Sequence, residues 1–149
     1  MYRHLKKLLT GVLSLTVLCA AAMPSMALDG TGNVASVDGQ EYATVQEAIN
    51  NGNGKTVTLL DDAKENVVIP EGATVTLDLG TFTLANNGAS HTITNKGTLT
   101  IQGSGKVDNE NHGKAALWNE GTAVLNGGTF DRSKEAGSSA EASGSNSYY

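Results

Sequence analysis

The sequence predicts an all-β fold, a right-handed parallel β-helix with about 24 residues in each turn and a short capping helix at its N-terminal side. Three stretches carry the prediction: PEGATVTLDLG from Pro70, NKGTLTIQGSG from Asn95 and WNEGTAVLNGG from Trp118, which superimpose without gaps at a spacing of 24 residues. Each contains a strand-like alternation of polar and apolar residues. A repeat of this length is typical of a solenoid, whose units bury their apolar faces by stacking.

Equivalent positions of the three stretches carry similar residues. The columns are Ile69, Ile93 and Leu117; Thr74, Thr98 and Thr122; Val75, Leu99 and Ala123; Leu77, Ile101 and Leu125; the small residues Ala73, Gly97 and Gly121; and Asn95 and Asn119, with Glu71 in the first copy. Similar residues coincide when units are related by translation, which predicts parallel, in-register strands about 4.8 Å apart. An antiparallel sandwich of hairpins would set unlike positions opposite each other, and a left-handed coil would show a six-residue period.

Residues 1–27 are predicted to be a signal peptide. A basic start (MYRHLKK) precedes the apolar run LLTGVLSLTVLCAAA, and small residues lead to a cleavage site after Ala27. The apolar run is short for a membrane span, although an uncleaved anchor and a lipoprotein modified at Cys19 are alternatives. We expect a secreted or cell-surface chain that has no membrane span once the signal is cleaved.

The composition of the remaining chain excludes several kinds of site. Cleavage removes the only cysteine and leaves seven basic against 15 acidic residues, so the net charge changes from −5 to −8. A disulfide framework and a thiolate zinc site are therefore excluded from the mature chain. The acidity argues against nucleic acid as a partner. No cofactor is predicted.

The mature chain divides into three regions. Residues 28–41 are predicted to form a lead-in hairpin that turns at Asp38 and Gly39. The capping helix and the β-helix turns occupy residues 42–130. Residues 131–149 are polar and rich in Gly and Ser, which indicates a linker, and their last residues resemble the opening of another turn. We therefore expect the chain to be part of a longer protein whose downstream turns stack on this one.

The capping helix has its own signals. Thr44 and Glu47 stand three residues apart, which is a capping-box arrangement, and Val45, Ala48 and Ile49 share one helical face. That face is expected to close the first turn.

In the β-helix turns, the alternation of polar and apolar residues predicts which side chains are buried. Val75, Leu77, Leu79, Leu99 and Ile101 are expected to face inward, and Thr74, Thr76, Thr98 and Thr100 are expected to face solvent.

The segments YATVQEAI, TVTLL, VTLDLG and GTLTIQGSG resemble the pectin-lyase-like right-handed parallel β-helix superfamily, and are similar to repetitive β-helix regions of secreted and surface proteins of Gram-positive bacteria. The resemblance covers residues 42–130. It implies that Asn95 and Asn119 belong to a structural asparagine ladder, in which stacked side-chain amides bond to one another and to the backbone.

The catalytic residues of that superfamily do not carry over to this chain. Pectate lyases use clustered Asp residues for calcium and an Arg as base, whereas the acids Asp61, Asp62 and Asp78 stand in the first turns and Arg132 begins the linker. Polygalacturonases place Asp-Asp and Gly-His-Gly about one coil apart. Here Asp61 and His112 are two coils apart. We therefore predict a non-enzymatic module with no catalytic, cofactor or metal site.

Three residues are candidate ligand contacts, and each also has a structural interpretation. Trp118 offers a platform for a sugar ring, or it covers a turn. Thr98 and Thr100 resemble the threonine rows of ice-binding surfaces, but the row is predicted to be two turns long because Val124 interrupts it; stiffening of the sheet is the alternative. His91 is predicted to lie inward at a strand end, in a column with Val67 and Ala115.

These observations favour a non-catalytic, exported bacterial module with a structural or adhesive role. Glycans or a host or cell-surface protein are the expected partners. One alternative is the N-terminal part of a polysaccharide lyase or glycoside hydrolase with its catalytic turns elsewhere. A second alternative is a carbohydrate- or surface-binding module that uses Trp118 and the threonines.

Overall fold

A computed structural model describes residues 32–111 and 113–133. The predicted signal peptide (1–27), the start of the lead-in region (28–31), His112 and most of the predicted linker (134–149) lie outside the described residues. The elements are β1 (Ala35–Val37), β2 (Gln40–Tyr42), α1 (Val45–Asn51), β3 (Lys55–Leu59), β4 (Ala63–Lys64), β5 (Val67–Ile69), β6 (Thr74–Asp78), β7 (Thr83–Ala85), β8 (Ile93–Asn95), β9 (Thr98–Gln102), β10 (Lys106–Asp108), β11 (Leu117–Asn119), β12 (Thr122–Leu125) and β13 (Thr129–Asp131).

The strands form three stacked sheets, and the predicted fold class is confirmed. The first sheet has the order β12-β9-β6-β3-β1-β2, the second β13-β10-β7-β4 and the third β11-β8-β5. Every pair is parallel except those that β1 makes with β2 and β3. The chain therefore visits each sheet once per turn and builds a β-solenoid of about three turns with one short helix.

The predicted 24-residue register holds in the later turns. Thr74 lies opposite Thr98, and Thr98 lies opposite Thr122, in the first sheet. Leu117 lies opposite Ile93 in the third sheet. Successive turns therefore place equivalent side chains beside one another, as parallel in-register stacking requires.

The register predicted for the first turn of the third sheet is wrong. Val67, not Ile69, lies opposite Ile93, and Ile69 lies opposite Asn95, so neither Ile69 nor Glu71 belongs to its predicted column. The cause is loop length: four residues join β5 to β6, whereas two residues join β8 to β9.

The same shift affects the neighbouring columns of the third sheet. Val68, and not Pro70 at the 24-residue spacing, lies in the column of Thr94 and Trp118. Val67 likewise does not share a column with His91, because it pairs with Ile93.

The interior of the solenoid is aliphatic. The five residues predicted to face inward are all 0–1% exposed; they are Val75, Leu77, Leu79, Leu99 and Ile101. Full burial of one such side chain stabilises the fold by roughly 1.5–3 kcal/mol. The wholly buried large aliphatic residues are Ile49, Leu59, Ile69, Leu77, Leu79, Leu84, Ile93, Leu99, Ile101, Val45, Val57 and Val67.

Helix α1 closes the first turn with the predicted apolar face, which is 0–2% exposed. The hydroxyl of Thr44 accepts a hydrogen bond from the backbone N–H of Glu47 at 3.1 Å. The carboxylate of Glu65 accepts from the N–H groups of Val45 at 2.7 Å and Gln46 at 3.1 Å. The free amides of the first helical turn are thus satisfied by side chains, and the negative charge of Glu65 suits this end of the helix.

Side chains also bond to the strand backbone in the first turns, and one of them pairs with the edge strand β5 of the third sheet. The amide of Gln46 donates to the carbonyl oxygen of Val68 at 3.0 Å and accepts from its N–H at 2.7 Å, as a neighbouring strand would. Asn53 accepts from the N–H of Thr74 at 2.9 Å. At this end of the solenoid, a side chain thus pairs with the edge strand of the third sheet, while the edge strand of the first sheet is the short, polar β2.

The opposite end lacks such a cover within the described residues. Leu125 on β12 is 47% exposed, although Leu77 and Ile101 in the same inward column are 0% exposed. Val124 beside it is 45% exposed. The last turn thus leaves part of the apolar interior in contact with water.

Glycines allow the turns between the third and first sheets to stack closely. A Cβ added to Gly97 would lie 2.5 Å from the carbonyl oxygen of Pro70 and closer still to that of Ala73. At Gly121 it would collide with the carbonyl oxygen of Gly97. The column of small residues in the sequence therefore reflects backbone contact between successive turns.

Candidate functional site

The predicted ladder residues Asn95 and Asn119 are in direct contact. The Nδ2 of Asn95 donates to the Oδ1 of Asn119 at 2.6 Å and to the carbonyl oxygen of Thr122 at 2.8 Å. The Oδ1 of Asn95 accepts from the N–H of Gly97 at 3.2 Å. Asn95 is 0% exposed, so these hydrogen bonds satisfy a buried amide and tie two turns together.

The outward face of the first sheet carries two columns of threonines. One column contains Thr56, Thr76 and Thr100 and ends at Val124; the other contains Thr74, Thr98 and Thr122. Each column runs through three strands, but both threonines occur together only on β6 and β9, which agrees with the predicted row of two turns that ends at Val124. The extension of one column to Thr56 was hidden in the sequence because β3 pairs with β6 at a spacing of 20 residues instead of 24.

The threonine columns form an ordered array of hydroxyl and methyl groups. Neighbouring members of a column lie on adjacent strands, about 4.7–4.9 Å apart, and the columns are two residues apart along each strand, roughly 6.5 Å. None of the six hydroxyl groups has a hydrogen-bond partner among residues 32–111 and 113–133. The array is therefore free to contact a ligand or a surface.

Trp118 lies on the third sheet and does not share a face with Thr98 and Thr100, which lie on the first. Its ring stacks on that of His91, with 4.8 Å between centroids and 22° between planes. The indole Nε1 donates to the carboxylate of Glu120 at 2.9 Å. The pair forms a partly exposed aromatic surface above the third sheet.

His91 lies in the loop before β8 and is fixed from the next turn. Its Nδ1 accepts a hydrogen bond from the backbone N–H of Ala115 at 2.9 Å, which requires the proton of the neutral ring to be on Nε2. Burial lowers the pKa of His91, the charge of Lys114 lowers it further, and Glu120 opposes the shift. The stacked pair therefore presents a neutral imidazole at neutral pH.

A buried polar cluster, which the sequence analysis missed, joins the second and third sheets. The Nδ2 of Asn109 donates to Ser90 O at 2.9 Å, Thr92 Oγ1 at 3.1 Å and Ala115 O at 3.0 Å. Asn109 and Thr92 are both 0% exposed. The cluster fixes the two long loops of this corner.

Asp108 adds a charged member to this corner. The whole residue is 4% exposed. Its carboxylate accepts hydrogen bonds from the N–H of Ser133 at 3.0 Å and from the ammonium of Lys106 at 3.2 Å. Burial raises the pKa of Asp108, but the hydrogen bonds from Ser133 and Lys106 outweigh it and leave the pKa below its usual value. The charge thus secures the end of β13.

The acids weighed as catalytic candidates make structural hydrogen bonds. Asp62 accepts from the N–H of Thr83 at 2.7 Å, and Asp61 accepts from the N–H of Asp62 at 2.7 Å. Asp78 accepts from Gly80 N at 2.8 Å and from the side chain of Gln102 at 2.9 Å. Arg132 follows β13, which two intervening strands separate from β4 beside Asp62.

Within residues 32–111 and 113–133, no three side chains of His, Cys, Asp or Glu are grouped as metal ligands. In the same part of the chain, no helix has the length and apolar character needed to cross a membrane.

Comparison with known proteins gave no match to a family model, a curated protein or a solved structure.

Proposed function

We propose that this chain is a non-catalytic, exported module of a bacterial surface or secreted protein, with a structural or adhesive role. The observation that carries the proposal is the register of the first sheet, which aligns threonines in two outward columns, each running through three successive strands. A stiff wall with one repeated surface is suited to spacing or to contact with an extended partner. The expected partners are glycans or a host or cell-surface protein.

We also infer kinship with the pectin-lyase-like superfamily and a right-handed coil. The parallel turns, the helix over the first turn and the amide pair of Asn95 and Asn119 support this inference. A crossover between parallel strands of one sheet is right-handed in nearly all proteins. Fold kinship does not carry an activity with it.

Retention on surfaces tests the adhesive role. We expect the purified chain to be retained on a panel of insoluble glycans or on host cells, and Thr100→Lys to reduce retention because it places a charge in the middle of the threonine array. Thr129→Lys, an exposed position on the second sheet, is the matched control. Equal retention of both variants and the native chain would contradict a role for the array.

A turnover assay tests the non-catalytic role. Pectin, alginate and host glycans are incubated with the chain, and we expect no cleavage products. Turnover that Asp78→Asn abolishes would overturn the proposal, because it would give catalysis to a carboxylate that we assign to a hydrogen bond with Gln102.

The stacked rings favour a second candidate function, carbohydrate binding on the third sheet. An aromatic face that is partly exposed and held rigid by His91 is a suitable platform for the apolar face of a sugar. Trp118→Ala should then weaken binding on a glycan array without lowering the unfolding temperature. Unchanged binding by Trp118→Ala would remove this candidate.

A further inference from the structure

The two ends of the solenoid differ. The first turn is covered by α1, the amide of Gln46 pairs with the edge strand β5, and the first sheet ends in β2, a three-residue strand with exposed Gln40 and Glu41. At the other end, Leu125 and Val124 of β12 are 47% and 45% exposed. Exposed, apolar strand edges pair readily with another strand.

The backbone of β12 presents hydrogen-bonding groups toward this open side. The N–H groups of Thr122 and Asn126 point at the preceding turn, where they donate to Gly97 O and Ile101 O at 2.8 Å. Because successive residues of a strand point to opposite sides, the N–H and C=O groups of Ala123 and Leu125 point away from the stack. Two residues of β12 are therefore ready to pair with a further strand.

The side chains of β12 differ from those of the strands beneath it. Val124 ends the outward column that contains Thr76 and Thr100, so an apolar residue replaces threonine only at the open edge. In the inward columns, the small Ala123 stands two residues from the large Leu125. These three residues form an apolar edge in which a small and a large side chain flank a central valine.

We propose that this edge pairs with the same edge of a second copy of the chain, β12 against β12, in an antiparallel, twofold-symmetric dimer centred on Val124. In this register Val124 lies opposite Val124 of the partner subunit, and Ala123 lies opposite Leu125 of the partner subunit. The outward-pointing backbone groups of Ala123 and Leu125 then form the hydrogen-bonded pairs, and the valines form the close, non-hydrogen-bonded pair. A small side chain therefore lies opposite a large one at both inward positions.

Among the contacts that residues 1–149 can make, a second copy fits this edge best, and the further turns of a longer protein would compete for the same place. A head-to-tail partner would have to offer the other edge strand of the first sheet, β2, which has three residues and exposes the polar Gln40 and Glu41, so a symmetric tail-to-tail contact matches the apolar edge better. Residues 134–149 of the same chain contain no Val, Leu, Ile, Met or Phe, the residues that fill the interior columns. A copy of β12 supplies such side chains, the complementary sizes and the backbone partners at once.

Sedimentation analysis of the full chain over a wide concentration range tests the proposal. We expect a dimer for the native chain and a monomer for Val124→Lys, whose outward position leaves the interior intact. Val68→Lys is the matched control, because Val68 is an outward valine that is 41% exposed on the third sheet, and it should remain a dimer. A native chain that is monomeric throughout, or a dimer that Val124→Lys leaves unchanged, would overturn the proposal.

Disulfide formation gives an independent test that does not depend on a destabilising change. In a Cys19→Ser background, Val124→Cys should form an intermolecular disulfide on mild oxidation, because the close pair of an antiparallel sheet brings Cβ atoms to about 4.5–5.5 Å. Thr100→Cys, one turn further inside the same column, is the control and should stay reduced. Equal cross-linking of the two variants, or none with Val124→Cys, would contradict the predicted register.

Discussion

The Nδ2 of Asn95 lies 2.6 Å from the Oδ1 of Asn119, the residue 24 positions later in the chain. The two amides are not equivalent. Asn95 is buried, whereas Asn119 on the last turn is exposed and directs its own Nδ2 to Gly121 O at 2.9 Å. The hydrogen bond therefore joins Asn95, which is buried between turns, to Asn119, which is exposed to solvent.

The first prediction follows from this difference. Asn95→Ala should lower the free energy of unfolding by about 1–3 kcal/mol, because it removes a buried amide and leaves the Gly97 N–H and the Thr122 carbonyl without these partners in a partly buried place. Asn119→Ala should cost clearly less, since water replaces its hydrogen bonds. Urea denaturation of both variants measures the difference. Equal losses would show that burial of the ladder does not determine its contribution.

The second prediction concerns the close approach of turns at Gly97. Gly97→Ala should destabilise the fold by about 1–3 kcal/mol or more, because its Cβ would collide with the backbone carbonyls of Pro70 and Ala73, which cannot rotate away. Gly32→Ala is the control, because a Cβ at Gly32 meets nothing within 4 Å. Thermal unfolding followed by circular dichroism compares the two. An unchanged midpoint for Gly97→Ala would refute the packing argument.

The third prediction compares two leucines of one inward column. Leu77→Ala should cost about 2–5 kcal/mol, because it leaves a cavity in the interior. Leu125→Ala should cost less than half as much, because this side chain is already 47% exposed while Leu77 is 0% exposed. Chemical denaturation measures both. The assay is run on monomeric protein at low concentration, and a larger loss for Leu125→Ala there would show that the last turn is covered.

The fourth prediction is a pH dependence caused by His91. The pKa of His91 in the folded chain is lowered from its ordinary value of 6.5, so around and below that pH the unfolded chain binds more protons than the folded one. The stabilisation from the neutral ring is therefore complete above about pH 6.5 and is lost as the pH falls toward the folded pKa. Protonation would also remove the acceptor for the Ala115 N–H.

Unfolding midpoints between about pH 7.5 and pH 5.5 test this dependence, because His is the side chain that normally titrates in that range. We expect the midpoint of the native chain to fall with pH more steeply than that of His91→Gln. Parallel pH profiles for the two proteins would assign the dependence to another group.

The sequence was sufficient to predict the parallel turns because the positions that accept only small or only aliphatic residues recur from turn to turn. Gly97 and Gly121 have to be small, and Leu77 and Ile101 have to be aliphatic, so both constraints appear as columns in the printed sequence. The alternation in β6 and β9 likewise predicted which residues are buried. These properties depend on local spacing, which a single sequence shows directly.

The sequence was not sufficient where loop length differs between turns. Ile69 matched Ile93 by type and spacing, but the four residues between β5 and β6 move Val67 into that position. The stacking of His91 on Trp118 and the pairing of Gln46 with Val68 depend on how loops and a helix fold back over a sheet. Neither contact corresponds to a recurring pattern in the sequence from which it could be predicted.

The closed first turn and the open last turn make the solenoid suited to evolutionary growth from within. A tandem duplication of residues 98–121, one 24-residue unit, would insert a turn that matches its neighbours in the first and third sheets. The helix on one side and the apolar edge on the other would both be preserved, so selection could change the length of the rod without redesigning either end.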